Sequence, residues 1–233
     1  FAYFGIGSVI VCLSSIAACM LTEWVITKYM LHRKPTLDDG SAIITGLLLG
    51  MNLPSNLPVG IVILGAVVAI GIGKMTFGGL GCNLFNPALV GRCMLLVSFP
   101  VQMTSWPVVG QQMSYTDATT GATPLSLMKK AISSGNASVL DSMPSSLHLL
   151  LGNNVNGGAG TIGEVCALAL LLGLAFMLWK KIITWHIPVS IILSAFVFAS
   201  VLHIANPIYA DPISVVLTGG MMLGAIFMAT DYT

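Results

Sequence analysis

Charge is what this chain has least of. Lys, Arg, Asp and Glu make up 7% of its 233 residues, where a soluble domain carries roughly 25%. Nine basic and eight acidic side chains cannot coat a soluble globule of this size, so lipid must cover much of the surface. The net charge of +1 leaves no basic footprint for nucleic acid. No CxxC pair occurs among the five cysteines, Cys12, Cys19, Cys82, Cys93 and Cys166. That argues against a self-contained zinc knuckle or dithiol couple and for small buried hydrophobes. Cys82, in a Gly-rich turn, stands out as the one suited to a metal or cluster shared with a partner. The chain also lacks HExxH, a phosphate-binding P-loop and a Ser/His/Asp constellation, so no complete catalytic site is expected on this chain alone. Neither an initiator Met nor a signal-peptide pattern is present, and both ends fall in or beside apolar runs. A single membrane domain over 1–233, shortened at both ends, is the expectation.

What is abundant is apolar sequence, 56% hydrophobic with a mean hydropathy of +0.93. Crossing the hydrocarbon core takes about 20 mostly apolar residues. Phe1 to Ile26, Pro58 to Ile72 (extending through Lys74 to Phe77), Gly163 to Trp179 and Pro188 to Ile204 read as spans. Three further apolar segments are short or Gly-rich: Ser41 to Leu53, Pro87 to Phe99 and Ile213 to Ala229. Such runs suggest re-entrant or broken helices, which survive at membrane depth only inside protein or along a cavity. Asp39-Gly-Ser41-Ala-Ile-Ile-Thr45-Gly46 and Asp211-Pro-Ile-Ser214-Val-Val-Leu-Thr218-Gly219 open two of these segments with the same acid, then Ser-x-x-x-Thr-Gly. The pattern predicts an all-α, multi-pass fold built as two related halves, since interrupted segments in corresponding halves point to a binding site.

Basic residues set the orientation. Lys28, Arg33 and Lys34 follow the first span, and Lys180 and Lys181 follow the third. The positive-inside rule places both clusters in the cytoplasm and the polar stretch 101–160 outside. A loop that long is usually functional or disordered. It contains Asp117-Ala-Thr119-Thr120-Gly121-Ala122-Thr123-Pro124-Leu125 ahead of a short amphipathic segment, Leu125 to Ile132. Gly121 is available for positive φ. Thr123 and Pro124 read as N-cap and first residue of a helix, and a helix N-terminus also favours an anion such as phosphate.

The Asp117–Thr123 segment resembles the D-x-x-[ST]-G-A-T motif at which FMN phosphate is esterified to the last threonine. The motif is found in the membrane subunits of sodium-pumping NADH:quinone reductase (NqrB) and of the Rnf complex (RnfD and RnfG). Thr123 is the matching acceptor, with Asp117, Thr120, Gly121 and Ala122 as its context. Further segments resemble RnfD in order along nearly the whole chain: Asp38-Asp39-Gly40-Ser41, Phe77-Gly78-Gly79-Leu80-Gly81, Asn83 with Asn86-Pro87-Ala88, Gly91-Arg92, Ser98-Phe99-Pro100, Trp106-Pro107, Trp185-His186-Ile187-Pro188 and Phe227-Met228-Ala229-Thr230-Asp231-Tyr232. The chain is thus similar to the NqrB/RnfD family.

That resemblance implies a flavoprotein subunit of an Rnf-type complex in a bacterial or archaeal cytoplasmic membrane. Such a complex couples electron transfer between ferredoxin and NAD to Na⁺ or H⁺ movement. The implied partners are other membrane subunits, a second covalent-flavin subunit, and iron–sulfur subunits facing NAD and ferredoxin. By resemblance to NqrB, Asn83 and Asn86 match a pair at a riboflavin site; read from the residues alone, Asn86 caps the helix at Pro87 and Asn83 supports the turn. Arg92 has three readings: contact with a flavin phosphate, with the dipole of a neighbouring helix, or with a structural ion-pair partner. Asp231, Glu164 and Glu23 are the candidates for ion coupling, against plain lipid-interface exposure for the two glutamates. An NqrB-like subunit of a quinone reductase and a channel or carrier without redox role are the alternatives.

Overall fold

The computed structural model describes residues 3–32, 39–111, 113–152, 160–206 and 208–231. Arg33, Lys34, Asp38 and Tyr232, and residues 153–159 of the long loop, lie outside the described residues. Among the described residues the apolar segments are mainly helical, and the chain divides into two compact units. One is Phe1–Thr119 with Asp231–Thr233, the other Thr120–Thr230.

In the first unit α1 (Gly5–Val25) runs into a π-helical turn, Ile26–Met30, giving a 26-residue apolar rod long enough to cross a membrane. Two short helices, α2 (Ser41–Met51) and α4 (Pro87–Ser98), flank α3 (Val59–Val68). A second π turn, Ala69–Lys74, and a 3₁₀ turn, Met75–Phe77, carry the α3 rod on to span length. The extension through Lys74 read from the sequence is therefore realised. The four-residue α5 (Pro100–Met103) follows α4.

Small residues let these helices approach. A Cβ on Gly46 would lie 2.7 Å from Ile16 Cα, and one on Gly91 would lie 2.7 Å from the Gly65 carbonyl oxygen. Such close backbone contact is how apolar helices associate where lipid removes the usual hydrophobic drive. Ser15 Oγ locks the α1–α2 contact by donating to the Gly46 carbonyl at 2.7 Å.

In the second unit α6 (Pro124–Ser134) and α7 (Ser146–Leu151) precede α8 (Ala167–Trp179) and α9 (His186–Ala205). The final apolar segment breaks into α10 (Pro212–Leu217), α11 (Met221–Leu223) and a π turn, Gly224–Met228. The break falls at Gly219, whose φ of +73° only glycine adopts freely. Here the third expected span needs correction. Its helix begins at Ala167 rather than Gly163 and has 13 residues, because Thr161–Glu164 is tied into a turn and Cys166 has extended φ/ψ. Three helices in all reach span length among the described residues: Gly5–Met30, Val59–Phe77 and His186–Ala205. The cysteine expectation is also corrected in part. Cys12 and Cys19 are buried, but Cys82 and Cys93 are exposed.

Candidate functional site

Polar groups gather at the helix breaks, and each unit has its own set. In the first unit the Gly-rich turn before α4 carries positive φ at Gly78, Gly79 and Gly81. Asn86 caps α4: its Oδ1 accepts from the Ala88 and Leu89 N–H groups at 3.0 and 3.3 Å, and its Nδ2 donates to Asp231 Oδ2 at 3.1 Å. Both ends of that amide are engaged by the protein. Asn83 is the opposite case. Its Nδ2 and Oδ1 are buried and neither has a hydrogen-bond partner. A buried polar atom left unpaired costs roughly 1–3 kcal/mol, so this site calls for a group that offers an acceptor and a donor side by side. The edge of a flavin ring has that pattern, and the open Gly79 and Gly81, with no atom within 4 Å of a Cβ position, leave room beside it.

Arg92, on α4, donates from Nη1 to Asn52 Oδ1 at 2.6 Å. Asn52 is the C-cap of α2, so this bond places the guanidinium at the negative end of that half-helix.

The third cluster is the most deeply buried. Its position in the sequence puts Glu23 at a span end facing the lipid interface; instead it is 0% exposed. Lys74 Nζ lies 2.7 Å from Glu23 Oε2 and donates to Ser41 Oγ at 2.5 Å. Ser41 Oγ in turn donates to Asp39 Oδ1 at 2.6 Å. Asp39 is itself exposed. Partial burial alone would raise its pKa, but the hydrogen bonds from the Ser41 side chain and N–H, with the charge of Lys74, hold it below the ordinary value. Sequence reasoning passes over Lys74 because it sits at the end of an apolar run. The available signal is one cation and one anion alone in neighbouring spans, each too costly to leave unpaired in lipid.

In the second unit Thr123 is the N-cap of α6. Its Oγ1 accepts from the Ser126 N–H at 3.1 Å, Ser126 Oγ donates back to the Thr123 carbonyl at 2.7 Å, and the residue is 6% exposed. The cap reading is realised. It does not exclude a phosphoester, since an ester oxygen still accepts. Gly121 does not use its freedom for a positive φ. Thr120 and Ala122 are exposed; so is Asp117, which belongs to the first unit. Within the first unit Gln111 holds the first part of the motif, exchanging hydrogen bonds of 2.7 and 2.9 Å with Thr119. Glu164 Oε2 accepts from Thr161 Oγ1 at 2.8 Å in the turn before α8. A cavity of about 370 Å³ beside α10 is lined by Ser145, His203, Asp211 and Ser214 among others.

Apolar rods of span length, half-helices and polar groups buried at their breaks define an all-α, multi-pass integral membrane protein. Comparison with known proteins narrows the class. The chain belongs to the NQR2, RnfD, RnfE family, whose model matches residues 1–233. It is 44% identical over 232 residues to the D subunit of the Na(+)-translocating ferredoxin:NAD(+) oxidoreductase complex of Acetobacterium woodii, covering 100% of this chain and 66% of that protein. It is 39% identical over 230 residues to the D subunit of the proton-translocating ferredoxin:NAD(+) oxidoreductase complex of Clostridium ljungdahlii, covering 98% and 67%. With the D subunit of the ion-translocating oxidoreductase complex of Alcanivorax borkumensis the identity is 36% over 244 residues, covering 98% and 69%. The chain thus spans about two thirds of the length of these relatives.

Proposed function

We propose that this chain is the flavin-carrying membrane subunit of a complex that couples ferredoxin:NAD(+) electron transfer to Na⁺ or H⁺ translocation. The carrying observation is similarity along the whole chain to the D subunits of such complexes. The FMN would be held through its phosphate on Thr123, where the helix N-terminus favours an anion. It would supply the redox chemistry that no side chain here provides. Asn83 would hold the ring edge of a second flavin, riboflavin, with its unpaired amide. Asn86 supports that site by fixing the start of α4 and by orienting Asp231. Asp231, Glu164 and Glu23 remain the carboxylates proposed for ion coupling, and Arg92 is assigned to the end of α2 rather than to a phosphate.

Partner subunits would bind ferredoxin and NAD and contribute iron–sulfur and further flavin groups. The complex would sit in the cytoplasmic membrane with the 101–160 loop outside.

Peptide mass spectrometry of residues 101–140, from protein isolated in its native membrane, tests the central claim. A mass equal to FMN less water on Thr123, absent from Thr123→Ala, supports it. An unmodified Thr123 in protein made with its flavin transferase overturns it and leaves a channel or carrier as the reading. Because the family also includes NQR2 proteins, a quinone-reductase subunit is the second reading. Electron flow that depends on added quinone and ignores ferredoxin would favour it.

A further inference from the structure

We infer that the cavity beside α10 seats a primary ammonium group carried on a flexible tether, held by Asp211, Ser214 and His203. This seat is separate from the proposed flavin sites and stands or falls without them.

The two halves of the chain differ at this point. In the first unit the Ser of the repeated Ser-x-x-x-Thr-Gly pattern already holds an ammonium. Lys74 Nζ donates to Ser41 Oγ, and Ser41 Oγ donates to Asp39 Oδ1. The second unit makes neither bond. Ser214 is 7% exposed and lines the cavity. Thr218 uses its carbonyl, but its hydroxyl has no hydrogen bond among the described residues. Asp211 is the N-cap of α10 and makes no side-chain cap bond. The hydroxyl and acid that the first unit fills from within are left open to an outside group in the second.

An ammonium brings three N–H donors and no acceptor, and the cavity wall offers acceptors to match. Asp211 and Ser214 both line it at the start of α10. His203 Nδ1 lies 2.7 Å from the Tyr209 carbonyl oxygen. A carbonyl only accepts, so Nδ1 carries the hydrogen and the neutral ring presents Nε2 as an acceptor. Nε2 lies 3.6 Å from Asp211 Oδ1, beyond hydrogen-bond reach, so neither is spent on the other. No Lys or Arg is among the described residues that line the cavity. The start of α10 opposes a cation and the end of α9, two residues past His203, favours one. That leaves the Asp211 carboxylate to set the sign of the ligand.

Size and surroundings call for a tether. About 370 Å³ is roughly ten times one water's share of liquid volume, more than a bare ion fills. α9 is the span least covered by protein, with 11% of its apolar stretch buried against 28% and 44% for the other two. Ile204, next to His203, is 84% exposed. Acyl chains lying along α9 would bring an aminophospholipid headgroup to the cavity. A free amine arriving from water would meet the same three acceptors.

The test is headgroup binding to the intact complex, purified in detergent and washed free of lipid. Native mass spectrometry counts bound phosphatidylethanolamine or phosphatidylcholine of the same acyl chains, and equilibrium dialysis counts labelled ethanolamine. The choline lipid is the control, because its trimethylated nitrogen has no N–H to donate. One site per complex should bind the ethanolamine lipid about tenfold more tightly than the choline lipid, as hydrogen bonds to a charged group predict. Asp211→Asn and Ser214→Ala should each abolish that preference. A preference between the lipids without binding of ethanolamine supports the seat and names a membrane headgroup as its ligand. Ethanolamine binding that both variants lose, with no lipid preference, supports it and names a free amine. Equal binding of the two lipids with no ethanolamine bound overturns the seat, and so does a preference unchanged in the variants. If either variant fails to assemble, His203→Gln on the α9 side takes its place. Flavin on Thr123 enters none of these readouts, so the two readings fail separately.

Discussion

The first unit and the second each contain a long apolar helix followed by a short one that opens with an acid and Ser-x-x-x-Thr-Gly. In both, the Thr hydroxyl donates back to the Ser carbonyl four residues earlier, Thr45 to Ser41 at 2.9 Å and Thr218 to Ser214 at 2.7 Å. The outcomes then diverge. α2 runs on through Gly46 to Met51, whereas α10 stops at Leu217 and the chain turns at Gly219. Gly46 has a tight neighbour, the α1 backbone at Ile16; a Cβ on Gly219 would meet only a Leu125 side-chain carbon at 3.6 Å. The same local pattern continues as helix where a packed partner rewards it and breaks where glycine's freedom is used for a turn. Charge diverges in parallel. α1 and the π turn that extends α3 are joined by a fully buried Glu–Lys bridge, while His203 and Asp211, on α9 and just before α10, lie 3.6 Å apart with side chains 36% and 69% exposed.

The largest expected break in this comparison is at the ion pairs. Lys74→Met leaves the Glu23 carboxylate buried without its bridge and should cost about 3–5 kcal/mol of stability. Adding Glu23→Gln should recover most of that loss, because the two effects are coupled through one contact. In the second unit His203→Gln should cost no more than about 1 kcal/mol, as exposed pairs do. Thermal unfolding of the detergent-solubilised protein reads all three. A Lys74→Met variant as stable as His203→Gln would mean that the first unit's pair is not the dry bridge described.

Next in size are the glycines. Gly46→Ala drives a Cβ to 2.7 Å from Ile16 Cα, and overpacking of this kind costs about 1–3 kcal/mol. Gly219→Ala meets no clash but must hold a left-handed φ, at about 1–2 kcal/mol. Asparagine separates the causes. Gly219→Asn should be milder than Gly219→Ala because Asn tolerates that region, while Gly46→Asn should be worse than Gly46→Ala because it is larger. Equal ranking at both positions, measured by unfolding, would remove the distinction drawn between the two halves.

Thr123 supplies a smaller effect. Loss of its cap in Thr123→Ala should cost about 1 kcal/mol of stability in protein made without flavin transferase, and Thr123→Ser should restore it. This cost is separate from any loss of flavin, and circular dichroism melting of unflavinylated protein reads it. If Ala and Ser behave alike, the bond to Ser126 contributes nothing.

These contrasts also show what could be read from the residues. The all-α membrane class was legible because lipid makes a single demand, long apolar runs, and charge scarcity reports it directly. The half-helices at Ser41 and Pro87 were legible because Pro54 and Pro100 limit them and Asn86 caps one. The Thr123 cap was legible from Thr-Pro, a local signal. The start of α8 at Ala167 was not, because Gly163 to Cys166 is as permissive of helix as of the turn that Thr161 and Glu164 make together. Nor was the Glu23–Lys74 bridge, 51 residues apart in sequence, since no periodicity encodes which face of one rod meets another. Asn86 as a cap was legible from Asn-Pro, whereas the unpaired amide of Asn83, read as support for the turn, is set by its surroundings.

The smallest expected effect concerns Asp39, which closes the first unit's cluster at the surface. Its folded-state pKa lies below the ordinary carboxylate value. A depressed carboxylate contributes stability that is fully present above its unfolded pKa and is lost as pH falls through the folded one. Asp39 therefore steepens the acid limb of the stability profile, beginning near the ordinary Asp value of about 3.9 and continuing below it. Most of the group faces water, so screening by salt should shrink the effect. Asp39→Asn should flatten that limb without altering stability's pH dependence near neutrality, and added salt should flatten it in the wild type alone. If the variant's profile instead changed around neutral pH, the group titrating there would be something other than Asp39.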